Sequence, residues 1–359
     1  MKYTIDSNST QSAYLQLYMQ IRRDIVDAVY KYGTKLPSKR LLAEESGVSV
    51  ITVEHAYSIL CDEGYAEARQ RSGYYVIYRE GDLISVGANL REHTIRPMQE
   101  QINEFPFSVL AKTMRKVLSD YGERILVKSP NQGCEELRQA IADYLARSNG
   151  IQTEPDRIVI GSGAEYLYTL IVQLLGKSRI FALETPSYDK IRQVYTASGV
   201  ECDMLKLSGD GIKSSELERT DATVLHITPF NSYPSGITAD ASKRSEYIAW
   251  ASRRNGYIVE DNFDSELTVS KKHEDTVYSL DREGRVIYLN TFSRTVAPSV
   301  RVGYMILPKE LAERFSQELG FYSCTVPVFE QYVLAELIDS GDFERHINRI
   351  RRNRRKLVL

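Results

Sequence analysis

Residues 36–57 read LPSKRLLAEESGVSVITVEHAY, and residues 60–76 read LCDEGYAEARQRSGYYV. Pro37 suits the approach to a helix. Ser38 suits its N-cap, because a serine hydroxyl accepts from backbone N–H groups that the first turn leaves without partners. That helix carries Leu41, Leu42 and Ala43 and stops at Gly47. Val48 and Ser49 lead into a further helix with Val53, Ala56, Tyr57 and Leu60 on one face, ending at Gly64. Residues 66–69 and 73–78 then read as two short strands around a turn. Upstream, Leu15, Tyr18, Ile21, Ile25 and Val29 recur at helical spacing, which predicts an amphipathic helix over 13–29, followed by a turn at Tyr32-Gly33-Thr34.

Two helices joined by a glycine-containing turn, then a hairpin, is the order of a winged helix-turn-helix. Ser49, Thr52 and His55 fall on the face of the third helix away from Val53 and Leu60. Short hydroxyls near a helix N-terminus suit phosphates or base edges in a major groove. Lys39 and Arg40 are placed to reach the DNA backbone from the second helix, and Arg69 and Arg71 flank the wing turn. Each phosphate contact adds a salt-dependent contribution to binding. Residues 1–80 hold roughly as many acids as bases, so a small helical adaptor with solvated charges is the alternative reading. The segments 36–57 and 60–76 resemble the winged helix-turn-helix of GntR-type regulators, and that resemblance implies double-stranded DNA as a partner.

At 359 residues the chain is too long for one ordinary domain. Its 42% hydrophobic and 26% charged residues are a globular composition with ample material for a core. No stretch of about 18 apolar residues occurs, which argues against a membrane span. Residues 1–10 are polar and lack the apolar run of a secretory signal. Cys61, Cys134, Cys202 and Cys324 lie far apart with neither metal-ligand spacing nor a disulfide framework, so a reducing cytoplasm and no metal are expected. Formal net charge is -2, so DNA binding must come from a local patch.

Residues 79–104 are polar and mixed and read as a linker. Beyond them apolar strand candidates at 158–161, 180–183, 223–227, 257–260, 286–289 and 303–307 alternate with helical stretches. This is an α/β pattern with a largely parallel sheet. Four motifs sit on it. Gly161-Ser162-Gly163-Ala164 joins a strand to a helix; small residues there let backbone N–H groups approach a phosphate at a helix N-terminus, or serve only a tight turn. Glu184-Thr185-Pro186-Ser187-Tyr188 follows the next strand. Asp261, in VEDNFDSE (259–266), stands at a strand's C-terminal end, where α/β sheets place ligands; a capping aspartate is the alternative. The fourth motif is YLNTFSRTVAPSVRVGY (288–304).

With these motifs the chain from 105 onward resembles the fold-type I, class I/II aminotransferases, and with the winged helix in front it resembles the MocR subgroup of GntR regulators. The resemblance implies pyridoxal 5′-phosphate as cofactor: Ser162, Gly163 and Ala164 around its phosphate together with Thr291 and Arg301, Tyr188 stacked on its ring, and Asp261 on its pyridine nitrogen. It also implies a head-to-tail homodimer and domains of 1–78 (winged helix), 79–104 (linker) and 105–359, the last with a large lobe to about 310 and an incomplete small lobe over 311–359. The family continues well past this point, where the arginine that grips a substrate carboxylate is carried.

Two positions depart from the pattern. Phe263 replaces the tyrosine that would bond the cofactor's phenolic oxygen, and Arg294 replaces the lysine that joins its aldehyde as a Schiff base. That bond needs a neutral primary amine; a guanidinium stays protonated, with a pKa above about 12, and its lone pair is delocalised. The expectation is therefore a regulator that binds pyridoxal 5′-phosphate or an amino-acid-like effector without catalysis. A working aminotransferase and a ligand-free dimerisation scaffold are the alternatives. The basic run 349–356 reads as one charged face of a helix, or as a DNA-contacting tail.

Overall fold

The structure is a computed structural model that describes residues 3–6, 11–69, 72–78, 105–267 and 275–358, with side chains to 355. The expected linker 79–104 and Arg71 lie outside the described residues. By packing, the chain forms two compact units.

The first unit contains α1 (Ala13–Val26), α2 (Lys39–Ser46), α3 (Val50–Asp62), the antiparallel hairpin β1 (Ala66–Arg69) and β2 (Gly73–Val76), and α4 (Phe107–Tyr121). Ser38 caps α2 by accepting from the Leu41 amide at 3.2 Å, and Gly47 ends it in the left-handed region at φ 66°. Leu17, Tyr18, Ile21 and Ile25 of α1 pack with Leu42, Val53, Ala56, Tyr57, Leu60 and Val76. The helix expected to reach 29 stops at Val26, because the Val29 and Tyr30 amides both turn back to the Asp24 carbonyl. Val29 is consequently exposed, and Leu17 takes the place expected for Leu15 in the buried stripe. The second strand ends at Val76 rather than 78. Helix α4 follows the pattern boundary at 105 yet packs with this first unit, its Arg115 guanidinium 5.0 Å from the Tyr65 ring centroid.

The second unit runs α5 (Glu135–Asn149), β3 (Ile158–Gly161), α6 (Ala164–Leu175), β4 (Phe181–Thr185), α7 (Asp189–Ala197), β5 (Cys202–Ser208), β6 (Gly211–Ile212) and α8 (Ser214–Arg219). It continues with β7 (Val224–Ile227), α9 (Ala241–Arg253), β8 (Tyr257–Asp261), α10 (Val277–Leu280), β9 (Val286–Thr291), β10 (Gly303–Ile306), α11 (Lys309–Glu318), α12 (Val328–Asp339) and α13 (Asp342–Val358). The eight strands form one sheet in the order β3-β10-β9-β8-β7-β4-β5-β6. Strands β5, β4, β7, β8 and β9 are parallel; β10 runs antiparallel to both its neighbours. This is the mostly parallel sheet that the strand pattern predicts. Strand β5 was not expected, since its only fully buried residue is Leu205 and no apolar run marks it.

Strand residues alternate between two cores, as the period of two requires. Phe181, Leu183, Val224, Val259, Ile287 and Leu289 face α6, α7 and α11, while Ala182, Leu225, Ile258 and Val286 face α8, α9 and α10. No helix among the described residues is long and apolar enough to cross a membrane.

Buried glutamates tie the C-terminal edge of this sheet together. Glu184 on β4 accepts from the Thr228 amide at 3.1 Å and the Ser232 hydroxyl at 2.6 Å. Glu260 on β8 accepts from the Val277 and Tyr278 amides at 2.9 and 2.7 Å. Burial raises the carboxyl of each, and of Glu266, to about 7, against an ordinary value of 4.5; the hydrogen bonds oppose the shift without cancelling it. A raised carboxyl holds its proton in the folded chain at pH values where the unfolded chain has released it, so stability falls as pH rises between about 4.5 and about 7. Melting temperatures followed by circular dichroism are expected to decline across that window and level off above it. Burial holds the His346 imidazole down at about 4, which adds stability as pH rises through the same range and offsets about one of the three carboxyls. Glu184→Gln, whose amide can still accept from Thr228 and donate to Ser232, should therefore remove about half of the net decline.

Candidate functional site

Strand β3 ends at Gly161 and α6 starts at Ala164, with Gly163 between them at φ 88°. That φ favours glycine, and a Cβ there would stand 3.0 Å from Arg301 Nη2, so the guanidinium would have to shift from this turn. Arg301 is held there by Glu165 at 2.8 Å, and Glu165 also pairs with Lys190 at 3.3 Å. Ser162 is fixed from the other side: its amide donates to Thr325 Oγ1 at 3.2 Å, and the Thr325 hydroxyl donates to Ser162 Oγ at 3.0 Å. Thr291 is buried at the end of β9, with Gly303 of β10 opposite it. The structure thus brings Ser162, Gly163, Ala164 and Arg301 together at one helix N-terminus. Glu165 and Thr325, which hold that cradle, have no local sequence signal.

Asp261 ends β8 and is buried. Its Oδ2 accepts from the Tyr168 hydroxyl and lies 3.7 Å from His226 Nε2. His226 Nδ1 in turn bonds the Tyr195 hydroxyl at 2.8 Å. Burial first, then the neighbouring Asp261 charge, pushes the Tyr168 and Tyr195 hydroxyls well above the ordinary tyrosine range, so both stay protonated. Asp261 Oδ1 is different: it is buried without a hydrogen-bond partner among the described residues. An acceptor left so costs about 1–3 kcal/mol or more unless a donor meets it. A protonated ring nitrogen is such a donor. Together with the Gly163–Arg301 cradle, this carboxylate fits pyridoxal 5′-phosphate. Tyr168, His226 and Tyr195 pass as ordinary core residues in sequence, because only the folded sheet brings them to Asp261.

Tyr188 directly precedes α7, is 44% exposed, and meets Tyr233 edge-on with ring centroids 6.2 Å apart. Phe263 offers no hydroxyl; its ring centroid lies 5.9 Å from the Arg294 guanidinium. Arg294, half exposed, reaches Asp264 Oδ1 at 3.5 Å. Arg354 of α13 reaches Asp264 Oδ2, also at 3.5 Å, and donates to the Leu267 carbonyl at 3.2 Å. Arg351 donates to the Glu266 carbonyl at 2.5 Å. Part of the basic run 349–356 therefore turns onto the segment after β8, where Arg351 and Arg354 meet backbone carbonyls and Asp264.

In the first unit Ser49 caps α3 by accepting from the Thr52 amide at 3.1 Å, and the two hydroxyls lie 2.8 Å apart. His55 is exposed and meets Tyr14 edge-on at 5.7 Å. Lys39 pairs with Glu54 at 2.7 Å across α2 and α3, and Arg40 is exposed. Arg69 pairs with Glu67 at 2.6 Å and lies 4.4 Å from the Tyr75 ring centroid. The structure adds two residues that a polar-face reading passes over: Val50, 41% exposed, and Ile51, 65% exposed, at the start of α3.

Comparison with known proteins covers nearly the whole chain. Residues 13–76 match the gntR family of bacterial regulatory proteins, and residues 98–359 match the class I and II aminotransferases. The HTH-type transcriptional regulator YdeL of Bacillus subtilis (strain 168) is 31% identical over 96% of this chain and 78% of its own length. The rhizopine catabolism regulatory protein MocR of Rhizobium meliloti, a probable assignment, is 28% identical over 97% of this chain and 76% of its own. Among solved structures, Pyrococcus horikoshii kynurenine aminotransferase superposes with a TM-score of 0.62 at 28% identity, over 69% of this chain and 64% of that one. This chain thus spans about three quarters of the curated relatives' length and under two thirds of that solved chain. A gntR helix-turn-helix followed by this sheet and its cradle has one family reading: the chain belongs to the class I and II aminotransferase family, in the MocR-type group of GntR regulators.

Proposed function

We propose that this chain is a DNA-binding transcription regulator whose C-terminal unit holds pyridoxal 5′-phosphate, or a related effector, non-covalently and without transaminating it. The observation that carries the reading is Arg294, a guanidinium where the family's lysine amine stands, in a unit whose Asp261 and Gly163–Arg301 elements otherwise fit the cofactor. When bound, the cofactor supplies an electron-withdrawing ring and an aldehyde. Asp261 would hold the ring through its nitrogen, and the Ser162–Gly163–Ala164 turn with Arg301 would take the phosphate. Arg294 neither attacks the aldehyde nor removes a proton, because its charge is permanent over the accessible pH range.

DNA binding rests on the exposed side of α3 and on the wing. Arg40 and Arg69 supply phosphate contacts; Lys39, already bridged to Glu54, exchanges one partner for another. Ser49 and Thr52 present hydroxyls, with His55 beside them on the same face. Ile51 and Val50 supply the apolar surface that suits thymine methyl groups. In this reading residues 1–78 read DNA, 79–104 link, and 105–359 sense the effector through the part from 126 onward, since 106–125 pack with the first unit. A cytoplasmic homodimer converts effector binding into a change in the spacing of two winged helices, to which DNA half-sites are sensitive.

Two measurements test this. Purified protein titrated with pyridoxal 5′-phosphate is expected to give calorimetric binding with no visible band of a lysine-linked cofactor and no pyridoxyl mass increment after borohydride. Arg294→Lys should create both. An increment on the unmodified chain overturns the non-covalent reading, and absence of any binding reduces the unit to a scaffold. For DNA, Arg40→Ala and Arg69→Ala should weaken binding across a pool of random duplexes and each lower the slope of log affinity against log salt by about 1. Ile51→Ser should relax the selected sequence and leave that slope in place; failure of residues 1–78 in the full chain to engage duplex DNA at low salt removes the regulator reading.

A further inference from the structure

Helix α3 begins with Val50 and Ile51 in solvent. Glu54 stands one turn further along, so its side chain lies between theirs on the helix surface. Val53, Ala56, Tyr57 and Leu60 take the buried face, and the Glu54 side chain is 52% exposed. A carboxylate is out of keeping with a surface that meets phosphates, because it repels them. Lys39, at the start of α2, holds it in the free protein: Nζ donates to Glu54 Oε1 at 2.7 Å, and this bond keeps the Glu54 carboxyl below the ordinary carboxylate range. The neighbouring His55 adds to that depression. Glu54 is therefore ionised near neutral pH, and an ionised carboxylate only accepts hydrogen bonds. Both partners of the bridge are solvated, so it is weak and readily exchanged.

We infer that Glu54 is the residue through which α3 selects cytosine, so that the bound sequence carries a C·G pair where the start of this helix enters the major groove. The inference rests on the DNA reading above. When Lys39 exchanges Glu54 for a phosphate, the carboxylate is left against the base edges without its cation and needs a donor. Major-groove edges offer two, the amino groups of cytosine and of adenine. Adenine places its N7 acceptor beside that amino group, guanine offers O6 and N7, and thymine offers O4; each of these meets a carboxylate acceptor to acceptor. Cytosine presents its N4 amino group with no acceptor beside it on the same base. Selection then works mainly by exclusion: a wrong base leaves a desolvated charge unpaired, which costs more than the right contact gains. Val50 and Ile51 flank Glu54 with surface for thymine methyl groups, so the three side chains read neighbouring base pairs by different means.

The test is selection by the full chain from a pool of random duplexes, followed by binding of single duplexes. The selected sequences are expected to share a cytosine at one position, and exchange of that C·G pair for T·A should weaken binding about tenfold. Glu54→Ala should lose the preference there and bind the C·G and T·A duplexes alike. Glu54→Gln, whose amide pairs with adenine N6 and N7, should favour adenine at the same position. Lys39→Gln should weaken every duplex and keep the cytosine, because the lysine has left Glu54 in the complex; loss of the cytosine in that variant overturns the exchange on which the inference depends. A cytosine retained by Glu54→Ala, or none selected by the unmodified chain, overturns the inference and leaves DNA binding standing. Failure of the unmodified chain to bind any duplex at low salt removes both. Glu54 is half exposed, so Glu54→Ala should melt as the unmodified chain does by circular dichroism, which separates lost selection from lost folding.

Discussion

The Asp261 carboxylate, buried at the end of β8 with one oxygen engaged and the other without a hydrogen-bond partner among the described residues, is the constraint around which the second unit is arranged. A charge in that position is tolerated only where neighbouring donors stabilise it. Tyr168 from α6 and His226 from β7, itself bonded to Tyr195 from α7, supply one side of that stabilisation. Those three residues come from elements on one face and one strand of the sheet, so the strand order is what makes the site. The parallel run of β4, β7, β8 and β9 brings their C-terminal ends to one edge, and Glu184, Glu260 and Asp261 all act along that edge. Ligand chemistry in α/β sheets belongs at such an edge for the same reason: carbonyl ends, loops and helix N-termini converge there.

Arg294 changes what that edge can do without changing how it is built. The turn after β9 still closes, with the Ser293 hydroxyl donating to the Val300 carbonyl at 2.9 Å, and Arg301 still reaches the Gly163 turn. The Arg294 guanidinium lies 3.5 Å from Asp264 and 5.9 Å from the Phe263 ring centroid. The departures at 263 and 294 are thus adjacent in space: the ring that lacks a hydroxyl is the surface beside which the guanidinium lies. The first unit works by separate means, a small core of α1, α2, α3 and the hairpin that leaves the start of α3 and the wing in solvent.

Much of this architecture was legible in the chain because it depends on neighbours in sequence. The cap at Ser38, the stop at Gly47, the hairpin and most of the apolar strands are local, and the structure has them where the pattern places them. The end of α1 and strand β5 were misplaced or missed because each is settled by something non-local or by partial burial: a backward turn onto the Asp24 carbonyl, and a strand whose flanks face solvent. The cradle residues Ser162, Gly163 and Arg301 were readable as motif positions, whereas Glu165 and Thr325, which hold them, were not. Val50 and Ile51 were missed because an apolar residue in a helical pattern reads as core, and nothing local says that these two lie at the exposed start of α3.

The amino-acid sequence by itself determined the order of the units, the winged helix, the alternating strands and the identity of the side chain at 294, hence the absence of a nucleophilic amine there. Those follow from periodicity, capping and the chemistry of single residues. Only the tertiary structure decided which groups meet: Asp261 with Tyr168 and His226, Ser162 with Thr325, and Asp264 with Arg294 and Arg354. Contacts between residues tens to hundreds of positions apart are fixed by strand order and core packing, and neither is written in any local stretch of the chain.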